Sequence, residues 1–169
     1  MTKEFPLTLY RVSPLGLLGP LLLSLALLLL ASWLHDPVEA GLRGFFEWLK
    51  SMDLIAELIN PGWGSWLVWL LYIPLLFALK HLLNEIAYAL GTRLHLDGDS
   101  LYIHQSWPNS AQACMKLNRI ESLSIQANGL PLNVCANLEI IGLGGTKLQV
   151  RKLQYARDLL GQLGYQVNE

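Results

Sequence analysis

Leu15 to Leu34 is a run of twenty residues without a formal charge, and nine of its last fourteen are Leu. At about 1.5 Å per helical residue, the run is about as long as a hydrocarbon layer of ~30 Å is thick. Nothing else in the chain constrains the fold as strongly, because lipid leaves backbone polar groups no partner but their own segment and so imposes a helix. A cleaved signal peptide is the competing reading. Its apolar region spans about 7–15 residues and ends at a small-residue cleavage site, whereas this run is longer and Ala31-Ser32-Trp33 makes a poor site.

The spacing predicts a first span over residues 14–34. Ser13 is placed to cap it, with Pro14 in the first turn. Pro20 then predicts either a bend or a helix that begins only after it. A second span is expected over about 65–90, its apolar part from Trp66 to Leu83 and its end near Gly91, a natural C-cap. Trp63, Trp66 and Trp69 gather at its start and Lys80 stands towards its end, as interface anchors do. Pro74 predicts a kink within it. Neither span carries an internal acid, base or polar run of the kind that marks a transport path. Gly16 and Gly19 offer a helix-packing patch, although their spacing is not the usual small-xxx-small pattern.

Between the spans, Val38, Leu42, Phe45, Phe46, Leu49, Met52, Ile55, Ala56 and Ile59 recur at helical spacing opposite Glu39, Arg43, Glu47, Lys50, Asp53 and Glu57. An amphipathic loop helix over about 37–60 follows, with Ser51 as a candidate break. Two basic and five acidic residues from Asp36 to Glu57 are not the Lys/Arg-rich face that anionic lipid attracts. Such a helix either lies on the outer membrane surface over its own spans or packs on a partner subunit.

Two spans put both flanking segments on one side. Lys3, Arg11, Lys80 and Arg93 flank them more densely than Arg43 and Lys50 fill the loop, which favours cytoplasmic termini in a bacterial inner membrane. Cys114 and Cys135 sit at no metal-ligand spacing and read as small buried apolar residues, with a disulfide or a reactive thiol as the alternatives. Left as free thiols, they agree with a reducing compartment.

The chain is 53% hydrophobic and 15% charged, against about 45–50% and about 25% in ordinary soluble domains. A boundary lies near residues 91 and 92: beyond it, Thr92 to Glu169 has ordinary soluble composition, with seven Lys/Arg and six Asp/Glu. That near-neutral balance argues against a nucleic-acid partner, which needs a basic excess to neutralise phosphates. Arg93–Asp97 and Ser100–His104 alternate apolar and polar around Gly98-Asp99, which predicts a type II′ hairpin. In that register Leu96 faces Leu101 and Leu94 faces Ile103, while His95 faces Tyr102 and Arg93 faces His104. Further strands are expected over 112–117, 120–126, 136–142 and 146–152, with Gly142-Leu-Gly-Gly145 as a hairpin turn. A closing helix over 153–164 shows Leu153, Ala156, Leu160 and Leu163 as its apolar stripe.

Six short strands and a terminal helix describe a bent antiparallel sheet or partial barrel plugged by the helix. Arg93-Leu-His-Leu-Asp-Gly-Asp-Ser-Leu-Tyr-Ile103, Lys116-Leu-Asn-Arg-Ile-Glu-Ser-Leu-Ser-Ile125 and Leu138-Glu-Ile-Ile-Gly-Leu-Gly-Gly145 carry a resemblance to the bacterial pleckstrin-homology-like domains that directly follow transmembrane helices. The resemblance covers about Thr92 to Leu163. It implies a binding module for protein or lipid. In eukaryotic relatives the basic residues around the first hairpin hold phosphoinositide headgroups, but here that turn is Asp97-Gly-Asp99, which repels phosphate. Lys116, Arg119, Lys147, Arg151 and Lys152 form a second basic set, read either as a contact for a partner or anionic lipid, or as a solvated rim balanced by Glu121, Glu139 and Asp158.

The residues imply no catalytic, cofactor or metal site. His35, His81, His95 and His104 are dispersed, with His95 and His104 on the solvent side of one hairpin rather than in a cleft. The glycine run lacks the Lys-Ser/Thr of a phosphate loop, and Ser110, Ser122 and Ser124 have no nucleophile-elbow context. The sequence therefore points to a non-catalytic accessory, assembly or scaffolding subunit beside other integral membrane proteins, or alternatively to a tethered anionic-lipid sensor.

Overall fold

The computed structural model describes residues 8–52, 60, 62–107, 110–127 and 134–163, in which long apolar helices are followed by antiparallel sheets and a short C-terminal helix. The chain divides into two compact units: Gly19–Leu83, and Met1–Leu18 together with Asn84–Glu169. The division does not fall at residues 91 and 92, because the last two turns of a helix and the segment ahead of the first helix go with the sheets.

Pro14 opens a 3-10 turn over Pro14–Leu17, and α1 (Leu18–Ser51) follows it. α1 does not wait for Pro20, since it begins at Leu18. Pro20 falls in the first turn of α1, where the missing N–H had no intrahelical acceptor to lose, and its carbonyl accepts the Ser24 hydroxyl at 2.9 Å. Ser13 stands at the cap position, yet its hydroxyl makes no capping bond. Its backbone N–H instead donates to the Lys152 carbonyl at 2.7 Å.

The amphipathic stretch is not a separate helix, for α1 continues unbroken through Pro37 to Ser51. Pro37 forfeits the bond to the Trp33 carbonyl and costs about 3 kcal/mol, which the remaining bonds of a 34-residue helix offset. The part of that expectation on residues 53–59 lies outside the described residues. The second apolar segment is composite: α2 (Trp63–Leu67), a 3-10 stretch (Val68–Tyr72) and α3 (Ile73–Gly91). Pro74 is the second residue of α3 rather than a mid-helix kink. Its ring would clash with the Leu70 carbonyl in a continuous α-helix, so the irregular turn lies just ahead of it.

Within Gly19–Leu83, Gly64 is buried and a β-carbon there would lie 3.0 Å from the Arg43 backbone nitrogen. The close approach of α1 and α2 therefore belongs to Gly64, not to Gly19, which has open space around it. Arg43 joins the two elements by donating to Ser65 Oγ at 2.9 Å, and Glu39 Oε1, one turn earlier on α1, holds its guanidinium at 2.5 Å.

In the second unit, β1 (Thr8–Arg11), β2 (Arg93–Asp97), β3 (Ser100–Gln105) and β4 (Ala111–Lys116) form a four-stranded sheet in that order. The expected hairpin register holds pair for pair, and Gly98 takes φ +54° as the turn requires. β1 is an addition to the six expected strands, pairing Arg11 with Arg93 and Leu9 with His95. β5 (Ile120–Ala127), β6 (Ala136–Gly142) and β7 (Lys147–Leu153) form a second, three-stranded sheet, with Gly144 and Gly145 at positive φ in the β6–β7 turn. The last helix, α4, covers Ala156–Leu163 rather than 153–164, since Leu153 ends β7 and a turn at Gln154-Tyr155 intervenes. Leu94, Leu96, Leu101, Leu138, Ile140 and Val150 from both sheets share one core with Ala156 and Leu159 of α4.

Candidate functional site

β6 pairs Ala136 with Leu153 and Leu138 with Val150, so Arg151 and Lys152 together oppose Asn137. This is a β-bulge. Lys152 takes φ +57°, uncommon for a side chain with a β-carbon, and its N–H donates to Asn137 Oδ1 at 3.0 Å. In a regular strand consecutive side chains point to opposite faces; the bulge sends both to one carboxylate. Lys152 Nζ lies 2.6 Å from Glu85 Oε2, and Arg151 Nη2 lies 3.5 Å from Glu85 Oε1. The Arg151 guanidinium sits 4.9 Å from the Tyr88 ring centre, and the Tyr88 hydroxyl accepts the Arg151 N–H at 2.9 Å. The Lys152 methylenes fill the space over Gly16, where a β-carbon would meet Cδ at 2.7 Å. Lys152 thereby ties β6, the Pro14–Leu17 turn and the end of α3 together.

The five basic candidates consequently do not form one patch. Arg151 and Lys152 serve the Glu85 joint. Lys147 is 3.8 Å from Glu139 on the neighbouring strand. Lys116 and Arg119 are exposed and line an open depression of about 400 Å³ with Leu143 and Thr146. Gly16 is occupied by Lys152 rather than free for a second helix, and Gly19 remains open. Trp63, Trp66, Trp69 and Lys80 are exposed, Trp66 most of all at 77%. Trp63 packs edge-on to Phe46, and Trp69 lies against His35 and Tyr72.

Cross-strand pairing sorts the outer face of the first sheet into rows. Arg11, Arg93, His104 and Gln112 form one, Leu9, His95, Tyr102 and Cys114 the next, and Asp97 pairs with Ser100 beyond. Cationic groups thus stand where β2 leaves α3, and Asp97 and Asp99 stand at the opposite end. In the sequence Arg11 is a topology marker and Arg93 a hairpin residue opposite His104; the pairing of the two arginines depends on β1. His95 stacks on Tyr102 with ring centres 4.9 Å apart, and both line a shallow, open depression of about 470 Å³ with His104 and Cys114 on the solvent side of the hairpin. A hydrogen bond with Cys114 raises the Tyr102 pKa above the ordinary tyrosine range. Cys114 is exposed and only Cys135 is buried, and neither is in a disulfide.

Among the described residues no three His, Cys, Asp or Glu side chains gather as a metal site. The arrangement presents a cationic row, a mixed apolar and basic depression, and the ion-paired joint at Glu85. No protein-family model, curated protein or solved structure matches the chain.

Proposed function

We propose that the chain is a non-catalytic accessory or scaffolding subunit of a bacterial inner-membrane complex, whose pleckstrin-homology-like domain binds a partner protein on the cytoplasmic side. The pairing of β1 with β2 carries this reading. Residues just before the first apolar helix and just after the second lie in one sheet, as they must if the helices cross a bilayer as a hairpin and one domain closes it. The most apolar windows of the two helices are only 11% and 17% buried within the chain, the opposite of a soluble core helix. Large side chains such as Leu22, Leu29, Trp33, Phe77 and Leu83 are turned outwards.

The joint at Glu85 supports scaffolding, because it fixes the sheets to the end of α3 instead of leaving them on a loose linker. α1 is about 51 Å long at 1.5 Å per residue, so its charged part from Asp36 onward projects past the layer and provides a second contact surface on the far side. The depression of Lys116, Arg119, Leu143 and Thr146 suits a protein surface with acidic and apolar side chains. Two antiparallel sheets over a common core plugged by α4 support the family resemblance.

Purification of the tagged chain from detergent-solubilised membranes tests the proposal. A stoichiometric protein partner is expected with the wild-type chain and is expected to be lost with Lys116→Glu/Arg119→Glu. Recovery of the chain alone would overturn the subunit reading. A tethered lipid sensor is the second reading, favoured by the row of Arg11, Arg93 and His104.

A further inference from the structure

A groove of about 310 Å³ runs between the Pro14–Leu17 turn and the last turns of α3. Its walls are apolar, from Pro14, Leu17, Ile86 and Leu90, and Arg11 and Arg93 stand at its rim. The two arginines are direct cross-strand partners. Like charges directly opposite one another destabilise an antiparallel pair, and neither arginine has an ion-pair partner among the described residues. The groove is also lined by Thr92, which is 2% exposed and whose hydroxyl finds no hydrogen-bond partner among the described residues. A buried hydroxyl left unpaired forfeits the hydrogen bonds that water gave it.

An unneutralised pair of guanidinium groups, a buried spare hydroxyl and an apolar trough share one place. Each lacks a different thing: an anion, a polar partner and an apolar filling. Glu85 does not supply the charge, since it is engaged by Lys152 and Arg151. We infer that this groove binds one anionic phospholipid, its phosphate held by Arg11 and Arg93, an ester or headgroup oxygen accepting from Thr92, and the start of an acyl chain lying along Leu17, Ile86 and Leu90. Guanidinium groups bind phosphate oxygens in paired, charge-assisted hydrogen bonds, which a lone exposed lysine does not reproduce. The volume is at the small end of the ligand range of about 300–1,000 Å³, which fits the part of a lipid nearest its glycerol rather than a whole molecule. The site rests on the reading of the two helices as membrane spans. It is separate from the Asp97-Gly-Asp99 hairpin and from the Lys116 and Arg119 depression.

The test is native mass spectrometry of the full chain released from nanodiscs of phosphatidylglycerol or of phosphatidylcholine. One retained phosphatidylglycerol per chain is expected. Arg11→Gln/Arg93→Gln should lower its affinity at least about tenfold, the loss of roughly one charge-assisted bond, whereas Lys116→Gln/Arg119→Gln should leave it unchanged. Thr92→Val should lower occupancy without unfolding the chain, which keeps the result readable if the arginine variant folds poorly. Equal retention by wild type and Arg11→Gln/Arg93→Gln would overturn the site. So would full displacement of the lipid by inorganic phosphate, which would make the groove a free-phosphate site. Extraction of the chain from membranes by alkaline carbonate would sink the membrane reading and this site with it. Firm insertion with no retained lipid would sink the site alone, and neither result bears on partner copurification.

Discussion

Lys152 Nζ lies 2.6 Å from Glu85 Oε2, with the two side chains only 15% and 6% exposed. A pair so far withdrawn from water is held in place by what it would cost to break it: removing one partner strands the other charge, at about 3–5 kcal/mol, while replacing both by apolar groups is often neutral. Glu85→Ala is therefore expected to destabilise the sheets by about 3 kcal/mol, and Glu85→Leu/Lys152→Met to recover most of that. Chemical unfolding of the full chain in detergent measures it. A single-variant loss below about 1 kcal/mol, the size expected of an exposed pair, would show the joint to be dispensable.

Tyr10 offers a second test in the same core. It is buried, its hydroxyl has no hydrogen-bond partner among the described residues, and burial followed by the charge of Asp158 raises its pKa above the ordinary value near 10. A raised folded-state pKa means that the folded chain prefers the neutral phenol. The stability this contributes is present below the unfolded pKa and is lost as pH rises through the folded one. Tyr10→Phe should be neutral or stabilising by about 1 kcal/mol at pH 8. Its advantage over wild type should widen between pH 9 and pH 11 in thermal melts. A constant difference across that range would contradict the assignment.

The β2–β3 hairpin was legible because its information is local: alternation on both strands and Gly98 at the turn determine one register. β1 was not, although Tyr10 and Val12 alternate with Leu9 and Arg11, because a four-residue strand ahead of an apolar run finds its partner only after both helices have passed. The division within the basic set was not legible for a different reason. Lys116, Arg119, Lys147, Arg151 and Lys152 look alike as basic residues in the sequence, and only the bulge at Asn137 and the position of Glu85 set Arg151 and Lys152 apart from the rest. Likewise Gly16 and Gly64 are alike in sequence as small residues; only the Lys152 stem over the one and the Arg43 backbone beside the other separate their roles.

Cys114 and Cys135 report on both fold and sidedness. Cys114 lies exposed beside Tyr102 on the outer face of β4, and Cys135 is buried at the start of β6. A maleimide should modify one thiol in the folded chain and two after denaturation. In intact cells a membrane-impermeant maleimide should leave Cys114 unmodified until the inner membrane is permeabilised, as cytoplasmic sheets require. Labelling of Cys114 from outside would reverse the topology proposed here. Cys114→Ser removes the signal and confirms the site.

Gly64 tests the helical unit by its own physics. Where α1 meets α2, beyond the apolar run of α1, the contact combines close packing with a polar bond. Gly64 lets α2 approach the Arg43 backbone, and the Arg43 side chain can then reach Ser65 Oγ at 2.9 Å. Gly64→Val places two methyl groups where a β-carbon alone would already be 3.0 Å from Arg43 N. The variant should lose about 1–3 kcal/mol and also the contribution of the Arg43–Ser65 bond. Ser65→Ala should lose the bond without the steric term, about 1 kcal/mol. Thermal unfolding in detergent compares the two. A Gly64→Val effect no larger than that of Ser65→Ala would show that backbone approach at Gly64 contributes little.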